Sequence, residues 1–105
     1  MKVPIVMTIA GSDSCGGAGI EADIKTMSAF GVYAAAAITA VTAQHTVGVT
    51  DSVCLEPALV VAQIDAVMDD TGVHAAKTGM LGTVGIVGAV AEAVGRHPVP
   101  DLVVD

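Results

Sequence analysis

The 105-residue chain has no tryptophan, one tyrosine, one phenylalanine, two cysteines and four basic residues. Each shortage closes off a class of function. Lys2, Lys25, Lys77 and Arg96 are scattered and the formal net charge is −7. Phosphate backbones need clustered Lys and Arg, so no nucleic-acid surface is expected, and the same shortage argues against adhesion to anionic lipid. Cys15 and Cys54 make neither a disulfide framework nor a metal spacing, which fits a reducing cytoplasm. His45, His74 and His97 stand too far apart for a metal motif. The longest apolar-looking stretch, residues 30–43, is interrupted by Gly31, Thr39 and Thr42 and is too short to span a bilayer. Lys2 followed by residues 3–10 looks only superficially like a signal peptide, because Pro4 interrupts it and no small-x-small cleavage site follows. A first buried strand is expected there instead, and no membrane partner.

What the chain has in quantity is small apolar side chains. Hydrophobic residues make up 53% of it, mostly Ala and Val, and charged residues only 14%. A chain this size buries roughly 65% of its unfolded surface, enough for one core, so residues 1–105 are expected to form part of one domain. Small and β-branched side chains suit buried parallel strands with helices packed close above them.

The periodicity alternates along the chain. Residues 3–10 form an apolar run of strand length closed by Gly11. Over residues 18–29 the period lengthens: Ile20, Ile24 and Met27 share a helical face, and Gly31 follows as a stop. The second half of residues 33–44 reads as a central strand, and residues 45–56 as a short excursion or hairpin. Pro57 opens a helix whose stripe is Val60/Val61, Ile64 and Val67/Met68. Residues 73–78 read as a strand and residues 79–82 as a turn. Residues 83–95 form a third helix with Ile86/Val87, Val90/Ala91 and Val94 inward. Pro98 and Pro100 end it, and residues 102–105 begin a fourth strand. The order predicts an α/β fold with a mainly parallel central sheet flanked by helices. Four strands would leave apolar sheet surface and an open edge uncovered.

In such sheets ligands collect beyond the carboxyl ends of the strands. Here those ends are residues 11–19, Gln44-His45, Gly79-Met80 and Asp105, where polar residues and glycines concentrate. The loop S-D-S-C-G-G-A-G lacks the Lys and Ser/Thr of a P-loop and the G-x-G-x-x-G spacing, so a nucleotide cradle is unsupported. It is either a tight strand-to-helix turn or flexible backbone that approaches a ligand or binds an anion. On the helix that follows, Glu21 and Lys25 project together and read as a solvated pair. Asp23 falls at the border of the apolar face, as a helix-to-loop hydrogen-bond acceptor or a group for a ligand. Gln44 offers one acceptor and two donors, a match for a ring nitrogen beside an amino group, although an isolated Gln often just ends a strand. Met80 is a core filler or an apolar wall against a flat ring. Lys77, inside a strand, snorkels or pairs with a carboxylate. Cys15 reads as a small loop residue rather than a nucleophile.

Three segments together resemble a known family: T-I-A-G-S-D-S-C-G-G-A-G-I-E-A-D-I-K-T, I-T-A-V-T-A-Q-H-T-V-G-V and A-A-K-T-G-M-L-G. They are similar to the hydroxymethylpyrimidine and phosphomethylpyrimidine kinases of thiamine biosynthesis, in the ribokinase-like superfamily. The similarity runs in order over essentially the whole chain, and the A-G-S-D-x-x-G-G-A-G-I-x-A-D block is specific. The resemblance implies a kinase dependent on ATP and Mg²⁺ that phosphorylates the hydroxymethyl group of an aminopyrimidine and then its monophosphate. It also implies a ribokinase-like fold and a homodimer, and it puts the pyrimidine-contacting positions at Gly11, Asp23, Gln44 and Met80.

Members of that family are more than twice as long, and the further half carries a G-T-G-C-type anion hole, its catalytic Cys or Asp, and most of the ATP site. The present chain is therefore expected to carry the pyrimidine-binding half, with no catalytic residue. Phosphoryl transfer needs donors positioned around the moving phosphate, so the 105 residues alone are expected to be inactive. His45 stands where relatives often have Asn. A pyridoxal or pyridoxine kinase, and a non-catalytic pyrimidine-binding module, are the alternative readings.

Overall fold

The computed structural model describes residues 3–105; Lys2, counted above among the cations, lies outside the described residues. The elements in chain order are β1 (Ile5–Asp13), α1 (Gly19–Ala29), β2 (Tyr33–His45), β3 (Gly48–Cys54), α2 (Pro57–Asp70), β4 (Ala75–Thr78), α3 (Val84–Arg96) and β5 (Asp101–Val104). They build one five-stranded sheet in the order β3-β2-β1-β4-β5. β1 runs parallel to β2 and β4, and β4 parallel to β5; only β3 is antiparallel, to β2.

The period of two sorts β1 between two layers. Met7 and Ile9 are fully buried in a core with Ala37, Ala76, Val60 and Ile64 of α2, and Ile86, Val90 and Ala93 of α3. Thr8, on the opposite face, reaches α1 instead. Burial of these aliphatic side chains, at roughly 25 cal/mol per Å² of apolar surface, dominates the stability of the layer. Alanines at 34–37 let β2 lie close beneath its helices, and their pairing with Val6–Ile9 keeps them extended. That pairing corrects the sequence reading, which began the strand only halfway along. Alanine favours helix in isolation, but sheet neighbours decide here.

The excursion at 45–56 is a true strand, β3, so the sheet has five strands rather than the four expected. It pairs β2 only from Ala40 onward. Two residues earlier, at Ile38, the Gln63 side chain of α2 takes the place of a strand. Its Oε1 accepts from the Ile38 N–H and its Nε2 donates to the Ile38 carbonyl, both at 2.9 Å.

β1 also continues past Gly11 to Asp13, because β2 follows it. Ala10 faces Ile38 but Ser12 faces Val41, so β2 uses three residues where β1 uses two. This bulge on β2 shifts its alternation by one position from there on. At the other end of the sheet, β5 is exposed along its length. Val87 and Ala91 of α3, expected inside, are exposed too. They line an apolar groove of about 390 Å³ between α3 and β5 with Leu102 and Val104. No described helix is long and apolar enough to cross a membrane.

Candidate functional site

A cleft of about 440 Å³ lies at the carboxyl ends of β1, β2 and β4, within the range of about 300–1,000 Å³ usual for small-molecule sites. Gly11, Thr42, Gln44, Lys77, Gly79 and Met80 are among its lining residues. Three of the four sequence-derived site positions therefore meet on one rim. Asp23 is not among the lining residues.

The glycine-rich loop is organised from within by Asp13, which is 4% exposed. One carboxylate oxygen accepts from the Cys15 N–H at 2.8 Å, and the other from the Gly17 and Ala18 N–H groups at 2.9 and 2.8 Å. An aspartate that binds the backbone two residues on is an Asx turn, so Asp13 followed by small residues was a legible signal that the sequence reading passed over. These N–H groups would otherwise form an anion nest at the start of α1. The protein's own carboxylate fills it, so the loop is the tight turn rather than the anion site. α1 has no side-chain cap of its own.

Gly19 and Gly11 fix how closely that turn packs. Gly19 has φ +59°, and a Cβ there would stand 2.2 Å from the Gly11 carbonyl oxygen. Only glycine fits both the left-handed backbone and the contact. A Cβ on Gly11 would stand 2.6 Å from the Met80 methyl. The missing side chain is thus the space into which Met80 folds. Met80 itself is 51% exposed, an apolar wall of the cleft rather than a core filler. Its backbone is anchored by Thr39, whose hydroxyl donates to the Met80 carbonyl at 2.7 Å.

Gln44 is half-buried at the end of β2 and is set by a residue the sequence reading did not single out. The Ser14 hydroxyl accepts from the Gln44 N–H and donates to the Gln44 carbonyl, each at 2.7 Å. The Thr42 hydroxyl donates to the Ser12 carbonyl at 2.7 Å and lies 3.3 Å from Gln44 Oε1. The Gln44 side chain lines the cleft. His45, next in the chain, is exposed and accepts from the Val47 N–H through Nδ1.

Glu21, expected to be solvated, instead takes a helix-to-strand acceptor role. Glu21 is not a solvated partner of Lys25: it accepts from the Ser12 hydroxyl at 2.6 Å and from the Asp13 N–H at 2.8 Å. Lys25 donates instead to the Gly16 carbonyl at 2.8 Å. The helical projection treats α1 alone, whereas the end of β1 overhangs its first turn. Desolvation raises the Glu21 pKa, but the hydrogen bonds from Ser12 and Asp13 outweigh it and hold the carboxyl below its ordinary value of 4.5.

Asp23 lies behind the cleft. Its Oδ2 accepts from the buried Thr8 hydroxyl at 2.6 Å and meets Lys77 Nζ at 2.9 Å. Thr8 and Lys77 are directly paired across β1 and β4, so all three groups converge under α1. The Lys77 side chain passes over Gly79, where an added Cβ would stand 3.4 Å from Nζ. Lys77 is the one basic residue lining the cleft among the described residues, and strand pattern alone gave no sign that it reached there. No group of three or more His, Cys, Asp or Glu side chains among the described residues is arranged to hold a metal ion. With the nest at the start of α1 filled by Asp13, that turn offers no cradle for a triphosphate.

A sequence profile of the phosphomethylpyrimidine kinase family matches residues 13–105. The chain is 50% identical over 99 residues to the hydroxymethylpyrimidine/phosphomethylpyrimidine kinase of Salmonella typhimurium, covering 94% of this chain and 37% of that one. The crystal structure of a phosphomethylpyrimidine kinase from Clostridium difficile superposes with a TM-score of 0.95 at 44% identity, over 99% of this chain and 45% of that one. The pyridoxal kinase from Staphylococcus aureus in complex with pyridoxal gives a TM-score of 0.89 at 33% identity, covering 100% of this chain and 39% of that one. The chain thus spans less than half the length of each of these relatives. Over that span sequence and backbone agree, and the α/β chain, ribokinase-like in its sheet and helices, belongs to the phosphomethylpyrimidine kinase family.

Proposed function

We propose that this chain provides the pyrimidine-binding part of a kinase that phosphorylates hydroxymethylpyrimidine and its monophosphate in thiamine biosynthesis. The observation that carries the reading is the cleft of about 440 Å³, lined by the Gln44 side chain and by Met80 folded onto Gly11. A flat ring lies against that apolar wall while the amide reads the edge where a ring nitrogen adjoins an amino group. Gly11, Gln44 and Met80 contact the ring, and Asp23 belongs to the same site through Lys77.

ATP is the phosphoryl donor of the reading, with Mg²⁺, a homodimer and a cytoplasmic location following from the family. The described residues supply neither a metal set nor a phosphate cradle, so their work is to bind and orient the pyrimidine. Exposed Val41 and Val53, paired on one face of β2 and β3, support a subunit contact. Residues 1–105 are read as part of a single kinase domain.

The test is calorimetric titration of the chain with hydroxymethylpyrimidine and with pyridoxine. Saturable binding of the pyrimidine is expected, weakened about tenfold or more in Gln44→Ala, the equivalent of about 1.4 kcal/mol. No pyrimidine binding by a chain that melts cooperatively would sink the assignment. Tighter binding of pyridoxine would favour the second reading, a pyridoxal-type kinase, which the likeness to the Staphylococcus aureus enzyme keeps in view.

A further inference from the structure

We propose that Thr42 is a positioning residue that fixes which way round the Gln44 amide faces the cleft, so that the site selects an amino-substituted ring over an oxo-substituted one. The inference rests on the pyrimidine reading above and deepens it. Thr42 and Gln44 stand two residues apart on β2, so their side chains leave the same face of the strand, and both line the cleft. Thr42 is buried. Its hydroxyl oxygen lies 2.7 Å from the Ser12 carbonyl oxygen and 3.3 Å from the Gln44 Oε1 position.

One hydrogen decides the orientation. A carbonyl oxygen only accepts, so the 2.7 Å contact with Ser12 takes the single hydrogen of the Thr42 hydroxyl. Were that hydrogen turned to Gln44, two bare oxygens would face each other at 2.7 Å. Toward the amide, Thr42 Oγ1 therefore offers lone pairs alone. An amide oxygen on that side would set lone pairs against lone pairs, whereas the amide nitrogen there donates. The oxygen and nitrogen of a side-chain amide are told apart by such a network, and this one turns Nε2 toward Thr42 and Oε1 away from it. The anchors are themselves held. Ser12 donates its hydroxyl to Glu21 at 2.6 Å, and Ser14 clamps the Gln44 backbone at 2.7 Å on both its N–H and its carbonyl.

The order of donor and acceptor carries the selectivity. With one Nε2 hydrogen given to Thr42, the other lies beside Oε1, and the amide shows the ring a donor next to an acceptor in a fixed sequence. An aminopyrimidine answers with a ring nitrogen, which accepts, beside an amino group, which donates. A ring with an oxo group in place of the amino group shows N–H beside C=O, the reverse order. The last torsion of a glutamine is broad and roughly two-fold, so an unheld amide turns over and reads either ring. Held by Thr42, it sets donor against donor and acceptor against acceptor when the oxo ring occupies the same place. Polar groups left unpaired in this way are what let a site reject a close analogue.

The experiment is calorimetric titration of the wild-type chain, Thr42→Val and Thr42→Ser with two rings, 4-amino-5-hydroxymethyl-2-methylpyrimidine and 5-hydroxymethyl-2-methylpyrimidin-4-one. The wild type is expected to prefer the amino ring by about a hundredfold or more. Thr42→Val keeps the shape and removes the hydroxyl, and its preference is expected to fall by about tenfold or more. Thr42→Ser keeps the hydroxyl and is expected to hold the wild-type ratio within about threefold. Thr42→Ala repeats the measurement if Thr42→Val does not melt cooperatively. A Thr42 that merely supports the strand weakens both rings alike when replaced, and an unchanged ratio in Thr42→Val or Thr42→Ala overturns the proposal. Equal affinity of the wild type for the two rings overturns it without need of any variant, and leaves the pyrimidine reading standing. Absence of binding of the amino ring to the wild type removes that reading and this inference together.

Discussion

Replacing Asp13 by Ala should collapse the order of the loop it organises, and the size of the effect follows from its three bonds. A hydrogen bond to an ionised acceptor is worth about 1.5–3 kcal/mol, so three set an upper bound of about 4.5–9 kcal/mol. Cys15, Gly17 and Ala18 are exposed, so water replaces the carboxylate at their N–H groups. The expected loss falls to about 2–3 kcal/mol, comparable to removing a helix cap together with one buried bond. For a chain of this length each kcal/mol moves Tm by roughly 4–8 °C, so thermal melting by far-UV circular dichroism should show a drop of about 10–20 °C. A second readout tests the cause. Asp13→Ala empties the nest at the start of α1, so sulfate should raise its Tm over chloride at equal ionic strength by more than it raises that of the wild type. A variant within about 0.5 kcal/mol of the wild type would refute the reasoning, because surface substitutions of no structural consequence cost that little. So would an equal sulfate effect on both proteins.

Gly19→Ala and Gly31→Ala separate conformation from collision. Both glycines have positive φ, but a Cβ at Gly31 meets nothing within 4 Å, whereas at Gly19 it meets the Gly11 carbonyl. Denaturant titration should give a cost of about 1–2 kcal/mol at Gly31 and about 2–5 kcal/mol at Gly19; equal costs would remove the steric argument. The Glu21 carboxyl is held below its ordinary 4.5, so its contribution to stability is complete above that value and fades as the pH falls through the lower folded pKa. Glu21→Gln should flatten the acid limb of the stability curve below pH 4.5, and an unchanged slope there would show that the Ser12 and Asp13 bonds do not act as described.

The layer order was legible because hydrophobic period switches between two and 3.6 at each element, and the ends of the apolar runs gave the rim. The missing parts all depended on a second element. The alanines of β2 read as ambiguous until Val6–Ile9 paired them. Val87 and Ala91 matched the inner stripe of α3 by period, yet the groove at β5 leaves them exposed. Glu21 appeared solvated on an isolated helix, since no projection of α1 includes Ser12 above its first turn. Gly11, Gln44 and Met80 could be picked out from strand ends, but Lys77 reaches the rim along a direction that only the pleat and Gly79 determine.

The extra residue in β2 opposite Gly11 works as a phase shifter for the strand. Upstream of it the pattern of side chains answers to the helices; downstream it presents Thr42 and Gln44 to the cleft and leaves Val41 and Ala43 out of its lining. A deletion of one residue there would barely alter composition, hydropathy or strand propensity. It would nonetheless turn a polar reading head into an aliphatic one, because every side chain beyond the slip changes face. What this wall recognises is therefore encoded partly in a count of residues, and a search for altered specificity would do well to vary strand length as well as side-chain identity.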